Sequence, residues 1–282
     1  MRMKQWAMAA ALLCGSMTAF AQESAEQFTI ATLNVDGLPQ KILVVKLNSD
    51  GPGDAGTARI SKYLMQKNYD LVMMQEDFSY HNVLTVLLED DYQFDEWSGE
   101  ISLGRDIDFL HLQNHRFSCD RLMACWKNDL TVVPQGRTAW TESFGKFSHA
   151  NDDLNTKGFR RYDVTLRDGE THILVYNMHM DASLDEDEAE GLDAKDKEAR
   201  MSQWKQLKED IMEHLSCPII LVGDMNSLYG RDDVKSEFID AFSGIADVTD
   251  VWVEMKQNGI YPDDRNKGVE AGEMLDKIIY IN

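Results

Sequence analysis

The chain places chemistry-bearing side chains directly after apolar runs, and it does so repeatedly. Ile219-Ile220-Leu221-Val222-Gly223 leads into Asp224-Met225-Asn226. The apolar run reads as a fully buried strand. Side chains alternate faces along an extended backbone, so Asp224 and Asn226 would point the same way at its end and hold a carboxylate and a carboxamide at one reaction centre. An Asp and an Asn after a strand are also common turn formers. The pair gains weight only if other strands deliver matching groups.

Other strands do. Residues 28–35 alternate in strand fashion and run into Asn34-Val35-Asp36-Gly37-Leu38-Pro39, where Asn34 and Asp36 repeat the alternate spacing before Gly37 and Pro39 turn the chain. Residues 69–76 form a second apolar run that ends in Glu76. A carboxylate there is the hard oxygen ligand that Mg²⁺ accepts in ones and twos. A further strand ends in Asn177-Met178-His179-Met180-Asp181. Taken alone, His179 could simply cap a sheet edge. A late strand over residues 274–281 carries Asp276. One such strand end is turn chemistry, but the same device in four core strands points to a shared active site.

The elements that must position these groups follow from periodicity. A helix is expected over residues 58–67, with Ile60 and Leu64 on one face and Tyr63 beside them. A short helix is expected over 83–88, and residues 121–126 and 130–133 read as the strands of a hairpin. Asp168-Gly169 sits between strands at 161–167 and 171–176, a strong two-residue hairpin signal. The acidic run at 183–197 reads as a solvated loop entering a helix. Over residues 194–215, Trp204, Leu207, Ile211 and Leu215 fall on one helical face, and Pro218 then releases the chain into the strand at Ile219. Residues 246–253 form a short strand region around Asp250. His111, His115 and His149 lie in polar surroundings without ligand spacing and read as surface residues.

Length and composition set the frame. With 282 residues and 43% hydrophobic content, the chain buries a large core, and nothing in it reads as a linker. One monomeric domain over residues 22–282 is expected. Arg2 and Lys4 precede an apolar run at 6–13, and Ala19-Phe20-Ala21 supplies small residues for cleavage before Gln22, so residues 1–21 read as a signal peptide. The mature chain is then periplasmic or extracellular. The run is too short to anchor in a bilayer, and Leu13 beside Cys14 argues against a lipoprotein. Cys119, Cys125 and Cys217 show no metal-binding pattern, and a strand between the first two would hold them apart. The formal charge of -21 counts against tight nucleic-acid binding, which needs bulk Lys and Arg. It leaves room for a metal site that handles one phosphate locally.

Leu33-Asn34-Val35-Asp36-Gly37, Gln75-Glu76, Asn177-Met178-His179, Gly223-Asp224-Met225-Asn226 and Leu275-Asp276-Lys277-Ile278, in that order, resemble the endonuclease/exonuclease/phosphatase superfamily, over nearly the whole mature chain. The resemblance implies an α/β fold, a four-layer sandwich of two mixed β-sheets flanked by helices, as in DNase I. It implies metal-dependent hydrolysis of phosphoric esters. Glu76 would bind Mg²⁺, with Mn²⁺ as the alternative ion, and Asn34 and Asp36 would lie in or near the coordination shell. His179 and Asn226, with Asn34, would bind the phosphate, Asp224 would orient or activate the attacking water, and Asp276 would orient a catalytic histidine.

In that family the histidine lies on a further strand bearing Ser-Asp-His, so such a strand is expected after Asn282. Without it, a non-catalytic module binding metal and phosphate is the alternative. Asn34 to Pro39, Lys157-Gly158-Phe159 and His179-Met180-Asp181-Ala182 look most like the sphingomyelinase-like branch. That branch implies a phospholipid head group at a membrane surface as substrate, with a secreted nuclease or an inositol-phosphate phosphatase as alternatives.

Overall fold

The computed structural model describes residues 27–42, 45–46, 51–98, 120–144, 156–182, 193–227, 234–260 and 275–282. The signal-peptide reading, the three surface histidines, Cys119 and most of the acidic run lie outside them. Strand β1 (Ile30–Asn34) is followed by the short pair β2 (Lys41–Ile42) and β3 (Val45–Lys46), helix α1 (Gly53–Lys67), β4 (Leu71–Gln75), α2 (His81–Thr85), β5 (Tyr92–Phe94) and β6 (Met123–Lys127). Then come β7 (Thr131–Ala139), β8 (Gly158–Thr165), β9 (His172–His179), helix α3 (Asp193–Met212), β10 (Ile219–Asp224), β11 (Val248–Asp250), helix α4 (Val251–Gln257) and β12 (Asp276–Ile281). The first sheet runs β1-β4-β6-β5 and the second β11-β12-β10-β9-β8-β7.

Strand periodicity separates three packing layers. In β4, Leu71 and Met73 face the second sheet, whereas Val72 and Met74 pack with Leu64 of α1. In β10, Ile220 and Val222 face inward, while Ile219 and Leu221 pack with Trp204, Leu207 and Ile211 of α3. Strands buried on both faces carry no polar alternation, which is why their sequences read as continuous apolar runs. The expected four-layer sandwich of two mixed sheets flanked by helices is the architecture observed.

Most elements lie where periodicity places them, with shifted ends. Helix α1 starts at Gly53 and closes on Asn68 in the left-handed conformation, with the Asn68 N–H donating to the Leu64 carbonyl. The short helix spans His81–Thr85 rather than 83–88. The strands around Asp168-Gly169 pair as a hairpin, but not through a two-residue turn: the ladder closes at Thr165 and His172, residues 166–171 connect them, and the second strand runs on to His179. Around Asp250, the strand gives way to α4, whose first turn the Asp250 carboxylate caps through Trp252 N and Val253 N.

The hairpin expected over 121–133 is corrected. Both strands exist, but β6 pairs with β4 and β5 in the first sheet, while β7 pairs with β8 in the second. Strand β6 buries Ala124 and Trp126 between the sheets and Met123 and Cys125 beneath α1, so it needs a central position. Strand β7 is largely exposed, with an irregularity between Pro134 and Arg137, as suits an edge.

Candidate active site

The sheet topology decides which strand ends meet. Strand β1 runs parallel to β4, and β9 parallel to β10, so Asn34, Glu76, His179 and Asp224 all emerge at one end of the sandwich. Strand β12 is antiparallel to β10, which sets its first residue, Asp276, opposite Asp224. Asn34 Nδ2 donates to Glu76 Oε1 at 2.8 Å and to Asp224 Oδ2 at 3.0 Å, so one amide ties the two sheets together. His179 Nε2 faces the same two oxygens, 3.8 Å from Glu76 Oε1 and 3.7 Å from Asp224 Oδ2.

The alternate-residue geometry needs correction in its cause. Asp36 N donates to Asn34 Oδ1 at 2.9 Å, and Asn226 N donates to Asp224 Oδ1 at 3.1 Å. Both pairs are therefore Asx turns. The second members do not continue the strand: Asp36 and Asn226 have φ of 46°, and Glu76 has φ of 60°. Side-chain oxygens of Asn34 and Asp224 replace the next rung of the ladder, and the backbone leaves the sheet in the left-handed region. Non-glycine residues held there cost about 1–3 kcal/mol each and cluster at functional sites. Gly223 allows the close approach of β10 to β9, because a Cβ there would lie 2.0 Å from the Met178 carbonyl oxygen.

The turn also settles how Asn34 presents its amide. Its oxygen accepts from the Asp36 N–H, so its nitrogen must face the carboxylates. Asn34 thus stands beside Glu76 as a hydrogen-bond donor rather than an oxygen ligand. Asp36 is exposed at the rim, near enough that its charge acts on Glu76. Asn226 Nδ2 donates to the Met180 carbonyl at 3.0 Å, which spends one of its two amide hydrogens.

Charge is crowded at this end. Burial raises the Glu76 carboxyl, Asn34 and Lys157 pull it back, and Asp224 and Asp36 push it up again, leaving it above its ordinary value. Asp276 is pushed up to about 7 by burial and by the charges of Asp224 and Glu76, and its Oδ1 is buried with no hydrogen-bond partner among the described residues. His179 is pushed down to about 3 by burial and Lys157, against the pull of Asp224, so its ring is neutral at physiological pH.

Carboxylates that repel one another, with an orphaned oxygen among them, are a donor set that suits a hard divalent cation. No ready-made cluster of three His, Cys, Asp or Glu ligands is present among the described residues.

Not every strand-end residue enters the site. Asn177 is buried between the sheets, where Nδ2 donates to the Met74 and Met123 carbonyls and Oδ1 accepts from Gln75 Nε2 at 2.7 Å. It joins the sheets rather than touching a substrate. Asp181 turns its carboxylate to Phe144 N, while its own N–H donates to Gln203. Periodicity gave no role to Lys157, which is buried, donates to the Met180 carbonyl at 3.0 Å and acts electrostatically on Glu76 and His179. Nor did it single out Trp140, whose indole N–H donates to the His179 carbonyl at 2.7 Å. A lysine directly before Gly158-Phe159 was the available signal for the first. Nothing local marks the second.

The sequence matches no protein-family model, and no curated protein matches it. Solved structures do match. An endonuclease/exonuclease/phosphatase family protein from Bacteroides thetaiotaomicron aligns at 17% identity with a TM-score of 0.56, over 90% of this chain and 82% of that one. The chain has the endonuclease/exonuclease/phosphatase fold. Others with this fold align equally well. Beta toxin from Staphylococcus aureus gives 17% identity and a TM-score of 0.56 over 90% and 85% of the two chains. TDP2 of D. rerio, in complex with a single-strand DNA product, gives 16% and 0.55 over 90% and 83%. At these identities the likeness concerns the fold, so the chemistry rests on the residues of this chain.

Proposed function

We propose that this chain is a Mg²⁺-dependent phosphodiester hydrolase, with a sphingomyelin-like phospholipid or a related small phosphodiester as substrate and the phosphorylated head group as product. The observation that carries the reading is the single hydrogen-bonded group of Asn34, Glu76 and Asp224, with His179 facing both carboxylates, at one end of the sandwich. Glu76 would hold the ion, with Asp36 beside it. A bound Mg²⁺ polarises a phosphoryl oxygen and offsets the charge that develops on it.

The chain's own residues do the rest. Asn34 holds the Glu76 and Asp224 carboxylates at fixed separation. Asp224 Oδ1 accepts from the Asn226 N–H and Oδ2 from Asn34 Nδ2; Oδ2, which His179 Nε2 also faces, would orient the attacking water and take its proton. Neutral His179 donates through Nε2–H, and Asn226 has one amide hydrogen beyond its bond to Met180, so both can bind phosphoryl oxygens. Donors fixed in a dry site cost no reorganisation when charge develops. The His179–Asp181 backbone is pinned by Trp140, Lys157 and Asn226 on its carbonyls and by Gln203 on the Asp181 N–H, which supplies that rigidity.

A nuclease is the second reading, favoured by the DNA product in the TDP2 neighbour and opposed by the net charge of -21. Export through the leader at residues 1–21 accords with a lipid or small ester encountered outside the cytoplasm.

The deciding experiment measures release of phosphocholine from sphingomyelin and nicking of supercoiled DNA, each with Mg²⁺ and with chelator. Mg²⁺-dependent phosphocholine release exceeding DNA cleavage is expected. Faster DNA cleavage overturns the lipid substrate. Stabilisation by Mg²⁺ without hydrolysis of any phosphodiester overturns the enzyme.

A further inference from the structure

The core between the sheets changes character just below the site. On β4 the inward row reads Leu71, Met73 and Gln75, and on β9 it reads Ile173, Val175 and Asn177. Each row is apolar until its last position, where a carboxamide takes over. Both carboxamides are fully buried. A buried amide is costly unless it is hydrogen-bonded, and an aliphatic side chain would continue either row without that cost.

Their bonding has one consistent direction. Asn177 Nδ2 donates to the Met74 carbonyl at 3.1 Å and to the Met123 carbonyl at 3.0 Å, so a side chain of the second sheet closes on β4 and β6 of the first. Carbonyls only accept, which fixes the Asn177 amide and turns its Oδ1 toward Gln75. Gln75 Nε2 then donates to Asn177 Oδ1 at 2.7 Å and to the Thr32 hydroxyl oxygen on β1 at 3.2 Å. Four strands meet on two amides.

Leverage follows from where this bridge sits. Gln75 directly precedes Glu76 and stands in register with Asn34, while Asn177 lies two residues before His179 and in register with Val222, two before Asp224. The carboxylate that would hold the ion belongs to the first sheet. Asp224, His179 and Asn226, which would orient the water and bind the phosphate, belong to the second sheet or its exits. Glu76 and Asp224 also repel one another. The Asn34 amide spans the sheets at the site itself, but it is only part-buried. Apolar burial has no preferred direction, whereas hydrogen bonds in a dry core fix both distance and orientation.

We propose that the Gln75–Asn177 bridge is a positioning device that sets the gap between the two halves of the site, across which Glu76 and the Asp224–His179 pair act on one phosphoryl group. Resting on the phosphodiesterase reading above, this ties both amides to the rate of the chemical step although neither touches substrate.

The test is kcat, KM and Mg²⁺ affinity with bis(p-nitrophenyl) phosphate as substrate, well below the unfolding temperature of each variant. Asn177→Leu should lower kcat ~100-fold, the cost of displacing reacting groups by about an ångström. KM should change far less, and calorimetric Mg²⁺ binding should stay at the wild-type value, because the ion is held from the first sheet alone. Gln75→Met leaves Asn177 on its two carbonyls and should lower kcat ~10-fold, the scale of one hydrogen bond. It decides the matter if Asn177→Leu does not fold. The double variant should be no slower than Asn177→Leu, since both substitutions act through a single bridge. A lower melting temperature with wild-type kcat overturns the proposal and leaves the amides as packing. Equal losses of kcat and Mg²⁺ affinity, or rate losses that multiply in the double variant, overturn it too. In those cases wild-type hydrolysis stands, and with it the phosphodiesterase. No hydrolysis by wild type removes both.

Discussion

The two ends of the sandwich treat their carboxylates in opposite ways. Where β1 and β4 begin, Asp70 accepts from the Thr29 backbone N–H at 2.7 Å and hydroxyl at 2.6 Å, and Arg167 bridges Asp70 and Asp129. Burial alone would raise the Asp70 carboxyl, but the hydrogen bonds from Thr29 and Arg167 hold it below its ordinary value. Where the same strands end, Glu76 and Asp276 are raised by burial and by neighbouring carboxylates. One end is a clamp whose carboxylates are paired and hydrogen-bonded, and the other stores repulsion that a cation would relieve. Stability is thus concentrated away from the chemistry, as expected where a site must bind charge that the protein alone does not balance.

Removing the central carboxylate should break this contrast most severely. Glu76→Gln should lower phosphodiester hydrolysis by ~10³-fold, the scale lost when a key electrostatic group leaves an active site. The same variant should be more stable than wild type in chelator, measured by thermal unfolding. Lost activity with lower metal-free stability would mean that Glu76 holds the fold rather than an ion.

A smaller effect is expected from pH at the site end. Asp276 is pushed up to about 7 in the folded protein, from an ordinary value of 3.8. The native state therefore keeps its proton longer than the unfolded state, and its contribution to stability, present at low pH, is lost as pH rises toward and through 7. In chelator, Asp276→Asn should raise the melting temperature at pH 8 by ~5 °C, on the order of 2 kcal/mol, with little change at pH 4. An equal shift at both values would remove ionisation of Asp276 as the cause.

The clamp end should give the smallest effect and the opposite sign. Because the Asp70 carboxyl is held low, its contribution is present above the unfolded value and lost as pH falls. Arg167→Ala should cost ~1 kcal/mol near neutrality, since its ion pairs are partly exposed. That cost should shrink as pH falls and Asp70 is protonated, while hydrolysis continues at the wild-type rate. A loss of activity comparable to that of Glu76→Gln would mean that the two ends are not separable.

Much of the site was legible because it depends on short-range pattern. Apolar runs closed by Asn34, Glu76, His179 and Asp224 mark buried strands ending in polar groups, and those four residues do come together. The cause of the spacing was not legible. Extended alternation and an Asx turn both relate residues two apart, and only the φ angles of Asp36 and Asn226 separate them. The expected hairpin at 121–133 failed for a related reason. Two adjacent strands with a short connection fit a hairpin locally, but burial of both faces of β6 requires partners far away in sequence. Trp140 was missed, and Lys157 was marked only as part of Lys157-Gly158-Phe159 with no role of its own, because their partners are backbone carbonyls outside any strand motif.

By itself, the sequence determined which residues stand at strand ends, since alternation, apolar runs and the breaks at Gly37, Pro39 and Pro218 act over a few residues. The layered α/β class was implied by the resemblance of its strand-end motifs to the endonuclease/exonuclease/phosphatase superfamily. Only the tertiary structure decided which ends meet. The parallel pairing of β1 with β4 and of β9 with β10, and the antiparallel return of β12, bring the Glu76 carboxylate and that of Asp224, 190 residues from Asn34, onto the one Asn34 amide. The direction of the Asn34 amide, the neutrality of His179 and the raised carboxyl of Asp276 belong to that level too. Each is set by burial and by neighbours supplied from distant strands, which no local pattern encodes.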